Sequence, residues 1–155
     1  MTEQEILSSL KDIYSNLSNL QSQVFTTMKT IEKNIDSSQE VRQIIIDHFG
    51  ISLEIFCSDS RCQAFSVTPR YFFFLFCKSL CESTTESIGA MSGDKDHASV
   101  VQGIKKICTL IEIKDKKIIE DYRRLLETFK LKGYDIQRVF NFINNRNEKS
   151  KRIGS

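Results

Sequence analysis

Six apolar residues near the start of the chain, Ile6, Leu10, Ile13, Leu17, Leu20 and Val24, recur at alternating steps of four and three. That spacing is the seam of a coiled coil, a helix whose one narrow apolar stripe faces another helix. A further step of four leads to Met28, and the pattern resumes at Ile31 and Ile35; such a stutter unwinds the supercoil locally. The remaining positions are mostly Ser, Asn, Gln, Lys and Glu. Alone, a helix of this kind is marginal in water, because nucleation is costly and its stripe stays wet. It needs a partner. A second copy of the chain, giving a homodimer through residues 6–35, is the first expectation. A helical hairpin or packing on the chain's own C-terminal part is another, and an unrelated protein is a third.

The rest of the chain also favours helices. One proline and six glycines in 155 residues are too few turn formers for a many-stranded β fold, and 40% apolar residues suffice for a core. Ser37-Ser38-Gln39-Glu40 interrupts the seam, and Ser37 with Glu40 has capping-box spacing. A new helix is therefore expected there, with Val41, Ile44, Ile45 and Phe49 on one face and Gly50 ending it. A short turn of helix after Ser52 comes next. A helix from Pro69 to about Leu80 then carries an aromatic run too dense to face one side, with Tyr71 or Phe74 nearest the surface. Four more helices are expected: Thr85 to Met91, capped by Ser83 or Thr84; Asp96 to Ile111; Asp115 to Phe129; and Tyr134 to Asn145. The expected architecture is all-α: a coiled-coil arm over 1–36, a helical domain over 37–146, and a frayed polar tail over 147–155.

Several function classes find no support. The net charge of +2 does not announce a nucleic-acid binder, so any basic surface has to be local. No apolar run reaches the length of a membrane span, and the polar N-terminus is unlike a signal peptide. Five cysteines (Cys57, Cys62, Cys77, Cys81 and Cys108) form no disulfide framework, which fits reduced thiols in a cytoplasm. Cys77 and Cys81 read as small buried hydrophobes, since zinc needs more ligands than their spacing offers. With two histidines, His48 and His97, no catalytic triad or metal-ligand spacing stands out, and Glu120 and Asp121 read as solvated. No enzyme, cofactor or small-molecule substrate is expected.

Thr85 to Ile107 reads as two helices joined by a tight glycine-containing turn at Ser92-Gly93-Asp94, a helix-turn-helix in outline. The residues sharpen this. Ile88-Gly89, then Lys95-Asp96-His97-Ala98-Ser99-Val100, then Lys105-Lys106-Ile107, resemble the signature of the C-terminal DNA-binding domain of the bacterial replication initiator DnaA. Upstream, Phe49-Gly50-Ile51-Ser52, Ser60-Arg61 and Pro69-Arg70 also look like that family, and the likeness covers about residues 40 to 130.

The resemblance implies that the second helix of the motif enters the major groove of double-stranded DNA at a DnaA-box-like site. Asp96, His97, Ala98 and Ser99 would then face base edges, with Lys95 at the helix entrance. Lys78, Lys105 and Lys106 match positions at or near the DNA backbone. Thr84 matches a hydroxyl at the start of the first motif helix, Arg70 is carried over with Pro69, and Arg61 is the candidate for the minor groove. Elementary chemistry agrees: Asp accepts from a cytosine amine, His meets guanine N7 or O6, and the Ala98 methyl meets a thymine methyl. A helix N-terminus also suits phosphate oxygens.

The chain departs from the pattern in three places. Ala98 stands for a usual threonine or serine, Glu86 for a common proline, and the loop from Arg61 to Thr68 is longer and carries one charge. No Gly-Lys-Ser/Thr phosphate loop occurs, so no ATPase core is expected. Two readings follow. One is a sequence-specific DNA-binding protein of replication control or transcription regulation. The other is an interaction module that has lost specific binding and recruits partners through its coiled coil.

Overall fold

The computed structural model describes the backbone of residues 2–153 and, except at 34–36, 63–64 and 150–153, their side chains. Every regular element among the described residues is helical. They run α1 (Glu3–Phe49), α2 (Leu53–Phe56), α3 (Thr68–Leu80), α4 (Thr85–Ala90), α5 (His97–Glu112), α6 (Lys116–Leu131) and α7 (Gln137–Ile153), with a π-helical turn over Gln63–Val67 leading into α3. The chain divides into two compact units, 1–36 and 37–155. Among the described residues no helix is long and apolar enough to cross a membrane.

The first unit is helix from Glu3 onward. It starts on a reciprocal cap: Glu5 N–H donates to Thr2 Oγ1 at 3.3 Å, and Thr2 N–H to Glu5 Oε2 at 3.1 Å. Its seam is exposed, from 44% at Ile6 to 57% at Leu10 and Val24. Its described residues form one continuous helix and no hairpin. The side chain of Ile35, the last expected seam position, lies outside the described residues.

The expected new start at Ser37 does not occur, because α1 passes through Ser37–Glu40 unbroken. A cap stabilises only where backbone N–H groups are orphaned. Here the preceding turn already accepts them, and no Gly or Pro interrupts it. Ser38 turns to tertiary packing instead: it is 1% exposed and its hydroxyl lies 2.8 Å from that of Ser83. Gly50, at φ +64°, then ends α1, with Ile51 N–H reaching back to Ile46 O at 3.3 Å.

In the second unit α3 is the central rod. Phe72, Phe73, Phe74, Leu75 and Phe76 are all buried, as successive residues can be only when neighbours surround the helix. Phe49 stacks on Phe72, Phe56 meets Phe73 edge-on, and Phe129 lies 4.6 Å from Phe76 between ring centroids. Of the two aromatics expected near the surface, Tyr71 is half-buried and Phe74 is core. Cys77 and Cys81 join the same cluster.

Helix α5 crosses α3 at Gly103. A Cβ there would stand 2.7 Å from the Phe74 ring and 2.8 Å from that of Tyr71, so the missing side chain sets how closely α5 sits. Helix α7 runs to Ile153, past the expected end at Asn145, so the polar tail expected from residue 147 is helical through 153. Residues 146–153 contain no glycine or proline and several good helix formers, which favour continuation. Val139 and Ile143 bury one face of α7.

Candidate nucleic-acid interface

The turn between α4 and α5 is built around Gly89 and Gly93. A Cβ on Gly89 would collide with the Lys95 carbonyl, and Lys95 N–H donates back to Gly89 O at 2.9 Å. Gly93 and Asp94 take left-handed backbone, φ +84° and +55°. Each helix has its own cap. Thr84 Oγ1 accepts from Ser87 N–H at 3.2 Å to start α4, and Asp96 Oδ1 accepts from Ser99 N–H at 2.8 Å to start α5. Hydrogen bonding from Ser99, side chain and backbone, holds the Asp96 carboxyl below the usual carboxylate range.

Beyond the cap, His97, Ala98 and Ser99 are exposed. At about 100° per residue, Ala98, Gln102, Lys105, Lys106 and Thr109 fall opposite the buried Val100, Ile104, Ile107 and Ile111, and all five are exposed. Gln102 was not singled out in the sequence because it lies outside the motif run. Its signal was the 3.6-residue period, which puts it one turn beyond Ala98.

His97 is oriented from α4. Its Nδ1 lies 2.6 Å from Thr85 Oγ1 and 3.7 Å from Glu86 Oε1. Glu86 is exposed, and its carboxyl is held low first by a bond from its own backbone N–H, then by Thr85, then by the charges of His97 and Lys78.

Three of the expected contact residues face inward. Arg70 is 7% exposed and donates to the carbonyls of Phe56 (3.1 Å), Ser58 (2.9 Å) and Ser60 (2.9 Å). These three bonds shape the loop before Arg61. Lys95, whose side chain is 16% exposed, reaches Asp59 Oδ1 at 2.8 Å and Ser58 O at 3.1 Å. Its ammonium holds the Asp59 carboxyl low. Lys78 is half-buried and donates to Ser83 O at 3.2 Å, next to the α4 cap. Arg61, Lys105 and Lys106 are exposed, and among the described residues no ion pair or hydrogen bond engages their side chains. No cluster of three metal-ligating side chains occurs among the described residues.

Residues 38–107 match the family model of the bacterial dnaA protein helix-turn-helix. The chain is 31% identical over 101 residues to the chromosomal replication initiator protein DnaA of Geotalea uraniireducens (strain Rf4), covering 63% of this chain and 22% of that protein. The protein of the same name from Citrifermentans bemidjiense is 32% identical over 101 residues, with the same coverage. That from Treponema denticola is 26% identical over 145 residues, covering 82% of this chain and 31% of its own length. The chain thus spans well under half the length of these relatives. No solved structure matches it.

Proposed function

Because residues 38–107 belong to the bacterial DnaA helix-turn-helix family, a family of DNA-binding domains, we propose that this protein binds double-stranded DNA at a specific, DnaA-box-like site with α5 in the major groove. The observation that carries this reading is the head of α5. His97, Ala98 and Ser99 are exposed on a helix whose other side is core, and Lys105 and Lys106 follow on the exposed face. Asp96 keeps its second carboxylate oxygen for a cytosine amine while the first caps the helix. His97 keeps Nε2 for a base edge. That nitrogen donates to guanine when Thr85 donates to Nδ1, and accepts an amine when the Thr85 hydroxyl turns to Glu86, 3.3 Å away. Gln102 is placed to pair with an adenine further along the groove. Phosphate affinity comes from Arg61, Lys105 and Lys106, and falls as salt rises.

The exposed seam of residues 6–31 supports self-association, which would present two reading modules to paired half-sites in replication or transcription control. A second reading, an interaction module without specific binding, is favoured by Glu86 on the DNA-facing side and by the inward commitment of Lys78 and Lys95. Gel shifts of wild type and His97→Ala on box-bearing and scrambled duplexes decide between them. Specific reading predicts preference for the box and its loss, by roughly 5- to 150-fold, in the variant. Equal binding of both duplexes by both proteins would remove the specificity claim, and no binding at low salt would favour the second reading.

A further inference from the structure

We propose that α7 forms a second phosphate-contacting wall beside α5, so that one strand of the duplex is gripped along the α5–α7 cleft while the head of α5 reads bases. The proposal rests on the placement of α5 in the groove.

Helix α7 lies outside the matched residues 38–107, and its sequence is basic: Arg138, Arg146, Lys149, Lys151 and Arg152 against Glu148. Arg138 has a structural task. It donates to Leu80 O at 3.3 Å and lies 3.9 Å from Glu82, fixing the start of α7 to the end of α3. Arg146, two turns further on, faces α5. It lies over the Phe142 ring at 5.8 Å, which holds the long side chain in place.

Arg146 and Lys149 from α7, with Lys105 from α5, line one open cleft of about 490 Å³. Asn145 and Thr109 add neutral polar groups, and Glu112 is the one carboxylate. Among the described residues no ion pair joins Glu112 to these three cations. The cleft also reaches Cys108, whose thiol burial pushes up to about 11, so that residue is neutral. Three cations against one carboxylate in an open cleft suit a phosphodiester chain and carry no base code.

The position fits as well. Lys105 follows His97 by eight residues, about 12 Å along the axis at 1.5 Å per residue. A major groove is about 12 Å wide. With His97 at base edges, the cleft falls at a sugar-phosphate rail. Such a wall also answers a deficit: the loop 61–68 offers only Arg61, and Lys78 and Lys95 are held by the protein's own carbonyls and by Asp59.

The test is fluorescence anisotropy of the full chain on box-bearing and scrambled duplexes across a salt series. Wild type, Arg146→Ala/Lys149→Ala, the charge-keeping Arg146→Lys/Lys149→Arg, and His97→Ala are compared, with circular dichroism melts alongside. The alanine pair is expected to weaken binding to both duplexes equally, by about tenfold or more at low salt, and to lower the slope of log K against log salt by about 1.8. The charge-keeping pair is expected to restore both. An unchanged slope with affinity within twofold of wild type would overturn the proposal, as would loss in the charge-keeping pair equal to that in the alanine pair. His97→Ala reports separately on base reading. If it leaves the box preference unchanged while the alanine pair lowers the slope, the wall stands and specific reading by His97 falls. Absence of duplex binding by wild type sinks both.

Discussion

Arg70 and Lys95 meet at a single acceptor, the carbonyl of Ser58, at 2.9 and 3.1 Å. One cation comes from the core helix α3 and the other from the turn that launches α5. Between them they pin the segment just before Arg61, so the loop and α5 are positioned as a unit.

Removing either cation therefore has different consequences. Arg70→Ala removes the guanidinium from three carbonyls: the buried one of Phe56 loses its side-chain donor, while Ser58 O keeps Lys95 and Ser60 O keeps the Ser66 hydroxyl. Loss of charged hydrogen bonds in a buried setting costs about 2–4 kcal/mol, so the thermal midpoint is expected to fall by roughly 5–15 °C. Lys95→Ala removes a partner of the exposed Asp59 and is expected to shift the midpoint little. Differential scanning calorimetry of the two variants checks the contrast. Equal midpoints would show that Arg70 does not organise the loop.

The cap of α5 predicts a pH dependence. Asp96 has its folded-state pKa lowered from the ordinary 3.8 by its bonds from Ser99. A depressed pKa means the stabilisation is fully present above 3.8 and is lost as pH falls through the lower, folded-state value. The amide of Ser99, followed by NMR, is expected to lose its protection from exchange at acid pH before the amides of the buried part of α5. Asp96→Asn keeps an acceptor and is expected to abolish that pH step. If the step persists in the variant, another group controls the helix start.

With α5 in the groove as proposed, Glu86 is the carboxylate that would oppose a phosphate. It is exposed, its carboxyl is held below its ordinary value, and it lies 3.7 Å from His97. Glu86→Gln keeps the hydrogen-bonding length and removes the charge. Binding to any duplex is expected to tighten several-fold at low salt, with the gain shrinking as salt rises. Anisotropy titrations at two salt concentrations measure this. Unchanged affinity at both would place Glu86 away from the DNA path.

What the sequence disclosed and what it hid follow from range. Asp96, Thr84 and Gly50 act on backbone groups within four residues of themselves, so their roles as caps and stop were legible. The exposed face of α5 followed from its 3.6-residue period. The inward bonds of Arg70, Lys78 and Lys95 were hidden because a long cation goes where tertiary structure brings an acceptor, and the Ser58 carbonyl lies 12 and 37 residues away from its two donors. Ser37 and Glu40 had the right spacing for a cap, but the helix before them had already satisfied the donors that a cap would serve.

The seam of α1 carries the last prediction. Between Ile13 and Met28 no residue is charged, and the positions flanking the seam are Leu7, Ser9, Tyr14, Asn16, Gln21 and Gln23. Copies aligned in register would thus meet no like-charge repulsion along it, and would cover Leu7 and Tyr14, now 53% and 76% exposed. Light scattering of the full chain is expected to give twice the 17.9 kDa chain mass. Leu17→Glu with Val24→Glu, which places carboxylates in the seam, is expected to return it to one. Seam composition bears on the number of copies: Leu10 and Leu17 opposite Ile6 and Ile13 is an arrangement that favours three or four strands, whereas Leu20 with Val24 favours two. A mass of four chains would show the first two heptads governing assembly, and loss of that mass in the double variant would still assign it to the seam. A wild-type chain that scatters as a monomer at micromolar concentration would leave the stripe to a different partner. Duplex affinity would then not fall in the double variant, because there would be no paired modules for the seam to hold together.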